Sequence, residues 1–234
     1  MLIFFIYIGM LQYSKNIIMS NKLKESSSYD YVEIGGLRWA TKNVGARTET
    51  DTGLYFQWGD TNGYTSDQVW SDEKAFAQDF SDYKYYDDNT FTKYNETYGK
   101  TELELEDDAA HVNMGGDWRM PTQSEFELLI ENTTNEWVDN YNDSGVNGRL
   151  FTDKADNGKK LFFPASGFCY RGSVYRVGEY GNIWGRSLSS DFVYDALRLE
   201  FDRGGVSVYN NYRCIGFVVR GVINTNNIKE LFEK

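Results

Sequence analysis

Several things are scarce in this 234-residue chain, and each scarcity closes a door. Two prolines against twenty-two glycines leave the turns to glycine and set few rigid breaks along the chain. Two cysteines, Cys169 and Cys214, are too few for a disulfide scaffold and are not spaced as a metal site; whether they meet is open. There is one histidine, His111, in a DDAAH segment ahead of GGDW, so no Ser-His-Asp arrangement can be drawn; a helix-terminal or core role suits it better than that of a base. Positive charge is short as well. Twenty-four Lys and Arg against thirty-five Asp and Glu give a formal net charge of −11 and a pI near 4.7, which repels phosphates and argues against nucleic acid or an anionic membrane as partner. No apolar run approaches the roughly twenty residues that span a bilayer. Leu2 to Leu11 is the longest. It looks like a signal-peptide core, yet no Lys or Arg precedes it and no small-x-small cleavage site follows; the other reading puts the start at Met19, with the first eighteen residues a misassigned start or a packed arm. Residues 20 to 28 read as a flexible linker.

What is plentiful is aromatic: 17 percent, with eighteen Tyr, a composition that suits short strands joined by glycine turns. The length suits one domain, on a prior of roughly 100 to 200 residues. Tyr31 to Ala40 carries a hairpin signal around Gly35-Gly36, and Gly53 to Gly59 reads as a strand. Thr61 to Gly99 has no sustained period and is expected to be an extended surface loop with one helical turn near Ser71 to Phe80. The clearest helix is Gln123 to Asn132. Thr122 stands at the N-cap with Glu125 three residues on, and Phe126, Leu128, Leu129 and Ile130 form its apolar face. A shorter helix is expected over Leu105 to Asn113, with Ala109, Ala110 and Val112 buried. Strands are expected at Gly148 to Thr152, Lys160 to Pro164, Asn182 to Leu188, Ala196 to Phe201, Val206 to Tyr209 and Ile215 to Val222. Helices followed by a run of strands make an α+β fold.

Five words in this order, WATKNVGA (Trp39 to Ala46), GLYFQWGD (Gly53 to Asp60), EDDAAHVNMGGDWRMPTQSEF (Glu106 to Phe126), LFFPASG (Leu161 to Gly167) and RCIGFVVRGV (Arg213 to Val222), resemble the Fibrobacter succinogenes major paralogous domain of gut Bacteroidales and their phages. The likeness covers about 190 residues. It implies a C-type-lectin-like fold, in the variant shared with formylglycine-generating enzymes, over residues 29 to 222, with residues 223 to 234 a tail. It also implies that the first strands, Tyr31 to Ile34 or Leu37 to Ala40, pair with the last, Gly216 to Val222. Some relatives are variable proteins of diversity-generating retroelements, in which adenines of a C-terminal cassette are rewritten, so that Lys, Gln, Met, Glu and Trp cannot arise from AAC or AAT codons. Between Leu161 and Ile228 there is no Lys, Gln or Met, and seven Arg carry the positive charge. Glu179, Glu200 and Trp184 fall outside the permitted set and read as framework. Where ordinary relatives have GYYWSSS, this chain has GNIWGRS (Gly181 to Ser187), and Asn182, Ile183, Gly185 and Arg186 are all permitted products.

The expected function is therefore display. Tyr170, Arg171, Tyr175, Tyr180, Asn182, Ile183, Gly185, Arg186, Asp191, Tyr194, Arg198, Tyr209, Asn210, Asn211, Tyr212 and Arg213 have the chemistry of a paratope: Tyr for contact area at low entropy cost, Arg and Asn for adaptable hydrogen bonds. Alternation in ALRLEF puts Leu197 and Leu199 on a core face and offers Arg198 and Glu200. The expected partner is a protein or glycan on a cell surface, met by a phage receptor-binding or virion-decoration protein or by a bacterial surface adhesin, with a cytoplasmic location and oligomerisation both open. No enzyme activity, cofactor or metal is expected. The rival readings are a formylglycine-generating-like oxidase, which would need Cys169 and Cys214 as a pair, and a structural subunit of a surface assembly. Glu106, Asp107 and Asp108 read as charge at a helix N-terminus rather than a calcium site, and Asp87 and Asp88 as solvated loop. Trp39, Trp58, Trp118 and Trp184 read as core.

Overall fold

In the computed structural model, the described residues are 29–71 and 79–225; Leu2 to Leu11, and most of the expected turn near Ser71 to Phe80, lie outside them. The architecture is mixed α+β, mostly strands with few helices. Gly35 and Gly36, both at positive φ, turn β1 (Tyr31–Ile34) into β2 (Leu37–Asn43). The last strand, β14 (Phe217–Asn224), pairs antiparallel with β2, Val222 opposite Trp39 and Arg220 opposite Asn43, so the two ends of the described fold are tied together as expected.

β14 also pairs with the two-residue β3 (Tyr55–Phe56) and, in parallel, with β11 (Gly181–Leu188). Beyond β11 come β12 (Asp195–Phe201) and β13 (Val206–Tyr212), both antiparallel, giving the order β1-β2-β14-β11-β12-β13. β14 reads FVVRGVIN and is buried on both faces except at its end, as a continuous apolar run should be in the middle of a covered sheet. Its one charge, Arg220, is fully buried. The guanidinium donates to Asn43 Oδ1 (2.9 Å), Ala40 O (2.9 Å) and Phe162 O (3.3 Å) and lies on the Phe163 ring, so each of its three nitrogens has an acceptor within the core.

One face of the sheet carries Trp58, Trp118, Trp184 and Phe217, under α2 (Ala109–Met114) and the segment from Tyr83 to Leu103. The other carries Trp39, Ile183, Leu199 and Val218, under α3 (Gln123–Asn132) and a second sheet of β6 (Thr133–Val138), β7 (Gly148–Asp153) and β8 (Lys160–Pro164). All four tryptophans named are fully buried. α1 (Ser66–Ser71) and the hairpins β4 (Tyr86–Asp87)/β5 (Thr90–Phe91) and β9 (Phe168–Tyr170)/β10 (Ser173–Tyr175) complete the elements.

Several expectations need correction. The segment from Thr61 to Gly99 is not a surface loop: Tyr83, Tyr85, Phe91 and Tyr94 are buried and pack edge-to-face on one another and on Trp58. Its aromatics follow no regular period because they enter the core from turns. Val112 and Leu128 are exposed, at 50% and 40%, since a short helix on a flat sheet buries a narrower stripe than its apolar residues could fill. The strand at Gly53 to Gly59 shrinks to two residues, and β6, β9 and β10 were not foreseen.

Candidate ligand-binding surface

Strand alternation sorts the candidate residues. In the registers Asn182–Glu200–Ser207 and Trp184–Arg198–Tyr209, cross-strand partners share a face, and Ala196–Asn211 joins them. At its β14 end this face is closed by core; over β11, β12 and β13 it is open. The β9–β10 hairpin forms one wall. Its turn, Arg171-Gly172 at φ 48° and 68°, has both central residues in the left-handed region, the signature of a type I′ hairpin.

Two hollows result, sharing Tyr170 as their partition. The first, about 390 Å³, has Asn182, Arg198, Glu200 and Asn211 as floor and Phe168, Tyr170, Arg176 and Tyr180 as wall. Arg198 is 6% exposed; its Nε donates to Asn182 Oδ1 (2.8 Å) and its remaining nitrogens reach Asn210 O and the Glu200 carboxylate. Burial pushes the guanidinium pKa down and Glu200 works against it. Asn182 Nδ2 in turn donates to Gly167 O (3.3 Å), so the floor is a hydrogen-bonded network rather than a set of loose side chains. At the rim the Arg176 guanidinium stands 4.2 Å over the Tyr180 ring. The second hollow, about 350 Å³, is lined by Asp79, Phe80, Tyr170, Tyr194, Tyr212 and Cys214 and is mainly apolar. A third, polar and about 410 Å³, takes Asp191, Tyr209 and Asn210 on the other side of the β12–β13 edge.

Thus Tyr170, Tyr180, Asn182, Arg198, Asn211, Tyr194 and Tyr212 come together around two adjoining hollows. Tyr175 is exposed and stacks on Phe168, and Arg171 lies 5.0 Å from the Tyr170 ring centroid. Asp191 sits on the loop between β11 and β12, which is closed at its base by Ser189 N donating to Asp195 O (3.1 Å). The opposite turn, at Asp202–Gly205, is held to the second sheet: Arg149 donates to Asp202 O (2.9 Å) and Arg203 forks onto Asp139.

Four expected residues are not presented to the hollows. Ile183 points to the opposite face, among Leu199 and Val218. Gly185 is buried; a Cβ there would lie 3.0 Å from Pro121 O and 3.1 Å from Leu197 O, and its own carbonyl accepts the Trp58 indole N–H (2.9 Å). Arg213 is fully buried over the Phe91 and Trp58 rings and donates to Tyr94 O (2.6 Å). Arg186 is half-buried, beside Glu102 (3.6 Å) and Asp108, and faces away from the hollows. Asn182 and Arg198, expected to stand out, form a floor instead: they are short of exposure because the wall rises around them.

Phe168, Arg176, Asp79 and Phe80 belong to the surface and were missed, whereas Glu200, expected on the offered face of ALRLEF, lines it. Arg176 lies in the Tyr-rich and Arg-rich stretch and was legible there; Phe80 comes from a segment ninety residues upstream with no local sign of where it folds.

The cysteines are free and buried. Burial drives both thiols up, Cys214 to about 12, the reverse of what a thiolate nucleophile requires. Asp108 does cap α2, accepting from His111 N (3.0 Å), as expected, and also from Met120 N. Asp107 behaves differently: it accepts from Tyr85, Tyr94 (2.6 Å) and Lys93, and the Lys93 ammonium stands among Glu104, Glu106 and Asp107, where a cation would otherwise sit. His111 lies in the last turn of α2 with Nδ1 3.1 Å from Trp118 O. Among the described residues no helix is long and apolar enough to cross a membrane. Set against models of known families, curated proteins and solved structures, the chain matches none.

Proposed function

We propose that this chain is a binding module without chemistry of its own, and that the two hollows over β11, β12 and β13 are its recognition surface. The reading stands on one observation: Tyr, Asn and Arg residues from separate stretches of the sequence converge on one concave face, around a rigid hydrogen-bonded floor. Rigid aromatic anchors around a preorganised polar floor are what protein and glycan recognition uses. The partner is a protein or glycan on a cell surface, and the chain acts from a virion or a cell surface, as the resemblance to the Fibrobacter succinogenes major paralogous domain and its C-type-lectin-like relatives implies. Retroelement rewriting, on this reading, supplies the variety at the exposed positions.

The test is binding of the purified protein to arrayed glycans and to intact bacterial cells. Tyr180→Ala and Asn211→Asp should each weaken any captured interaction at least tenfold, while Tyr31→Ala, on the far edge strand, leaves it unchanged. Equal loss from Tyr31→Ala, or none from the other two, would refute the assignment.

A second reading, a subunit of a surface assembly, is favoured by β13. It is a sheet edge of seven residues, VSVYNNY, without proline or charge to guard it. Light scattering across a concentration series decides this, and a monomer at all concentrations excludes self-assembly through that edge.

A further inference from the structure

The second hollow has a chemistry narrower than general recognition. Phe80 is its base. The Tyr194 ring stands 5.4 Å from the Phe80 centroid at 60° and the Tyr212 ring 5.5 Å away at 72°, so both walls rise steeply from that base, and Tyr170 lines it too. Tyr194 and Tyr212 are about half exposed, at 46% and 54%, and none of the hydrogen bonds among the described residues involves the Tyr170, Tyr194 or Tyr212 hydroxyl. Ring faces are the negative pole of the aromatic quadrupole.

Asp79 stands beside the rings. Its Oδ1 accepts from Ser81 N (2.7 Å) and Ser81 Oγ (2.6 Å), fixing the side chain. These bonds hold the carboxyl below its ordinary value, so it stays charged at neutral pH. No Lys or Arg lines the hollow. One of these rings already carries a cation, Arg171 at 5.0 Å from the Tyr170 centroid, and the buried Arg213 lies over Phe91, which packs behind Phe80 and Tyr194. A net charge of −11 draws cations to the whole surface.

We propose that this hollow is an aromatic cage for a quaternary ammonium group. A primary ammonium brings three donors that need acceptors, and the lining offers a single carboxylate and hydroxyl tips. A neutral apolar group would fill the space but gain nothing from the Asp79 carboxylate, which Ser81 and, from outside the lining, the charge of Arg171 already stabilise. Methylated ammonium satisfies both the rings and Asp79, and rings around such a cation are the recurring solution for choline-like and methyl-lysine ligands. The shared chemistry fits a free choline, a lipid head group or a methylated lysine. The inference rests on the binding-module reading and adds the ligand class for one part of its surface.

The experiment is ligand-observed NMR and calorimetry on the full chain with tetramethylammonium and choline, beside 3,3-dimethylbutanol, the uncharged isostere of choline. Saturable binding of the two cations is expected, at least tenfold tighter than the isostere. Tyr212→Leu, which keeps apolar volume and removes the ring, and Asp79→Asn, which keeps the cap on Ser81, should each weaken choline by about tenfold; Tyr212→Phe should leave it within a factor of two. Thermal melts confirm that each variant folds. Equal affinity for the isostere, or choline binding indifferent to Tyr212→Leu, overturns the cage. Choline-phospholipid vesicles and a trimethyl-lysine peptide, run as separate arms, identify the source. If no cation binds while the array interaction above persists and still depends on Tyr180, the cage alone fails; if that interaction is lost too, the parent reading falls with it.

Discussion

Asp107 faces two ammonium groups, Lys84 and Lys93, as its neighbour Glu104 faces Lys93 and Lys100. Burial alone would raise the Asp107 pKa, but hydrogen bonds from Lys93, then Tyr85 and Tyr94, and the charge of Lys84 outweigh it and hold the pKa at about 2. Glu104, bonded to Tyr98 and Lys93, is likewise held at about 2. Both values lie below those of an unfolded chain. Their contribution to stability is therefore complete above about pH 4.5 and is lost as the pH falls toward 2; for Asp107 it amounts to about 2 kcal/mol. Urea unfolding between pH 6 and 2.5 should show the midpoint falling steeply below pH 4.5. Lys93→Met should lower stability at pH 7 and flatten that fall, and an unchanged slope in the variant would show that the acid sensitivity lies elsewhere.

At the scale of elements, local rules were legible and long-range ones were not. The helix Gln123–Asn132 appears with the foreseen ends because its start is written in adjacent residues: Thr122 accepts from Glu125 N (3.3 Å) and Glu125 returns to Thr122 N (2.8 Å). Lys160–Pro164 was equally readable from its apolar run. β9 and β10 were not, since three residues are too few for a period, and the hairpin exists because Cys169 pairs with Gly216 across the chain. Its position also depends on Gly167. That residue has φ 64°, and a Cβ would fall 2.0 Å from Tyr175 O and 2.9 Å from Val177 N, so only glycine lets the hairpin fold back on its own approach. Gly167→Ala is expected to cost about 2 kcal/mol or more and to displace the wall carrying Tyr170 and Tyr175. Chemical denaturation with an unchanged midpoint would argue against this close fit. The candidate surface was half legible for the same reason: alternation identifies which residues share a face, but not that a hairpin wall and Phe80 turn that face into hollows, nor that the face ends where Ile183 and Gly185 turn inward.

For the molecule as a whole, β14 is the strand on which the rest depends. It joins β2, β3 and β11, residues from both ends of the described fold, and its apolar side chains belong to both cores. A chain ending before Phe217 should lose near-ultraviolet circular dichroism and cooperative melting altogether, not merely a few degrees of stability. A cooperative transition in that truncation would mean that the sheet has a second centre. Such a fold is dominated by contacts between distant residues, which slows folding relative to helical proteins of this length.

The parallel pairing of β11 with β14 has a further meaning for what this surface can become. The chain runs from β11 outward through β12 to the edge strand β13 and returns at β14 beside β11, so β12 and β13 form an excursion within the sheet whose entrance and exit are neighbours. Its two ends are unequal. The Asp202–Gly205 turn is pinned by Arg149 and Asp139, whereas the loop after Ser189 closes on itself through its own backbone. Extra residues inserted among Ser190 to Val193 would add only the slowly growing entropy of a longer loop, and would leave the register of β14 against β2 untouched. The reach of the surface can thus be altered by length at one end alone, in addition to any exchange of residue identity along it.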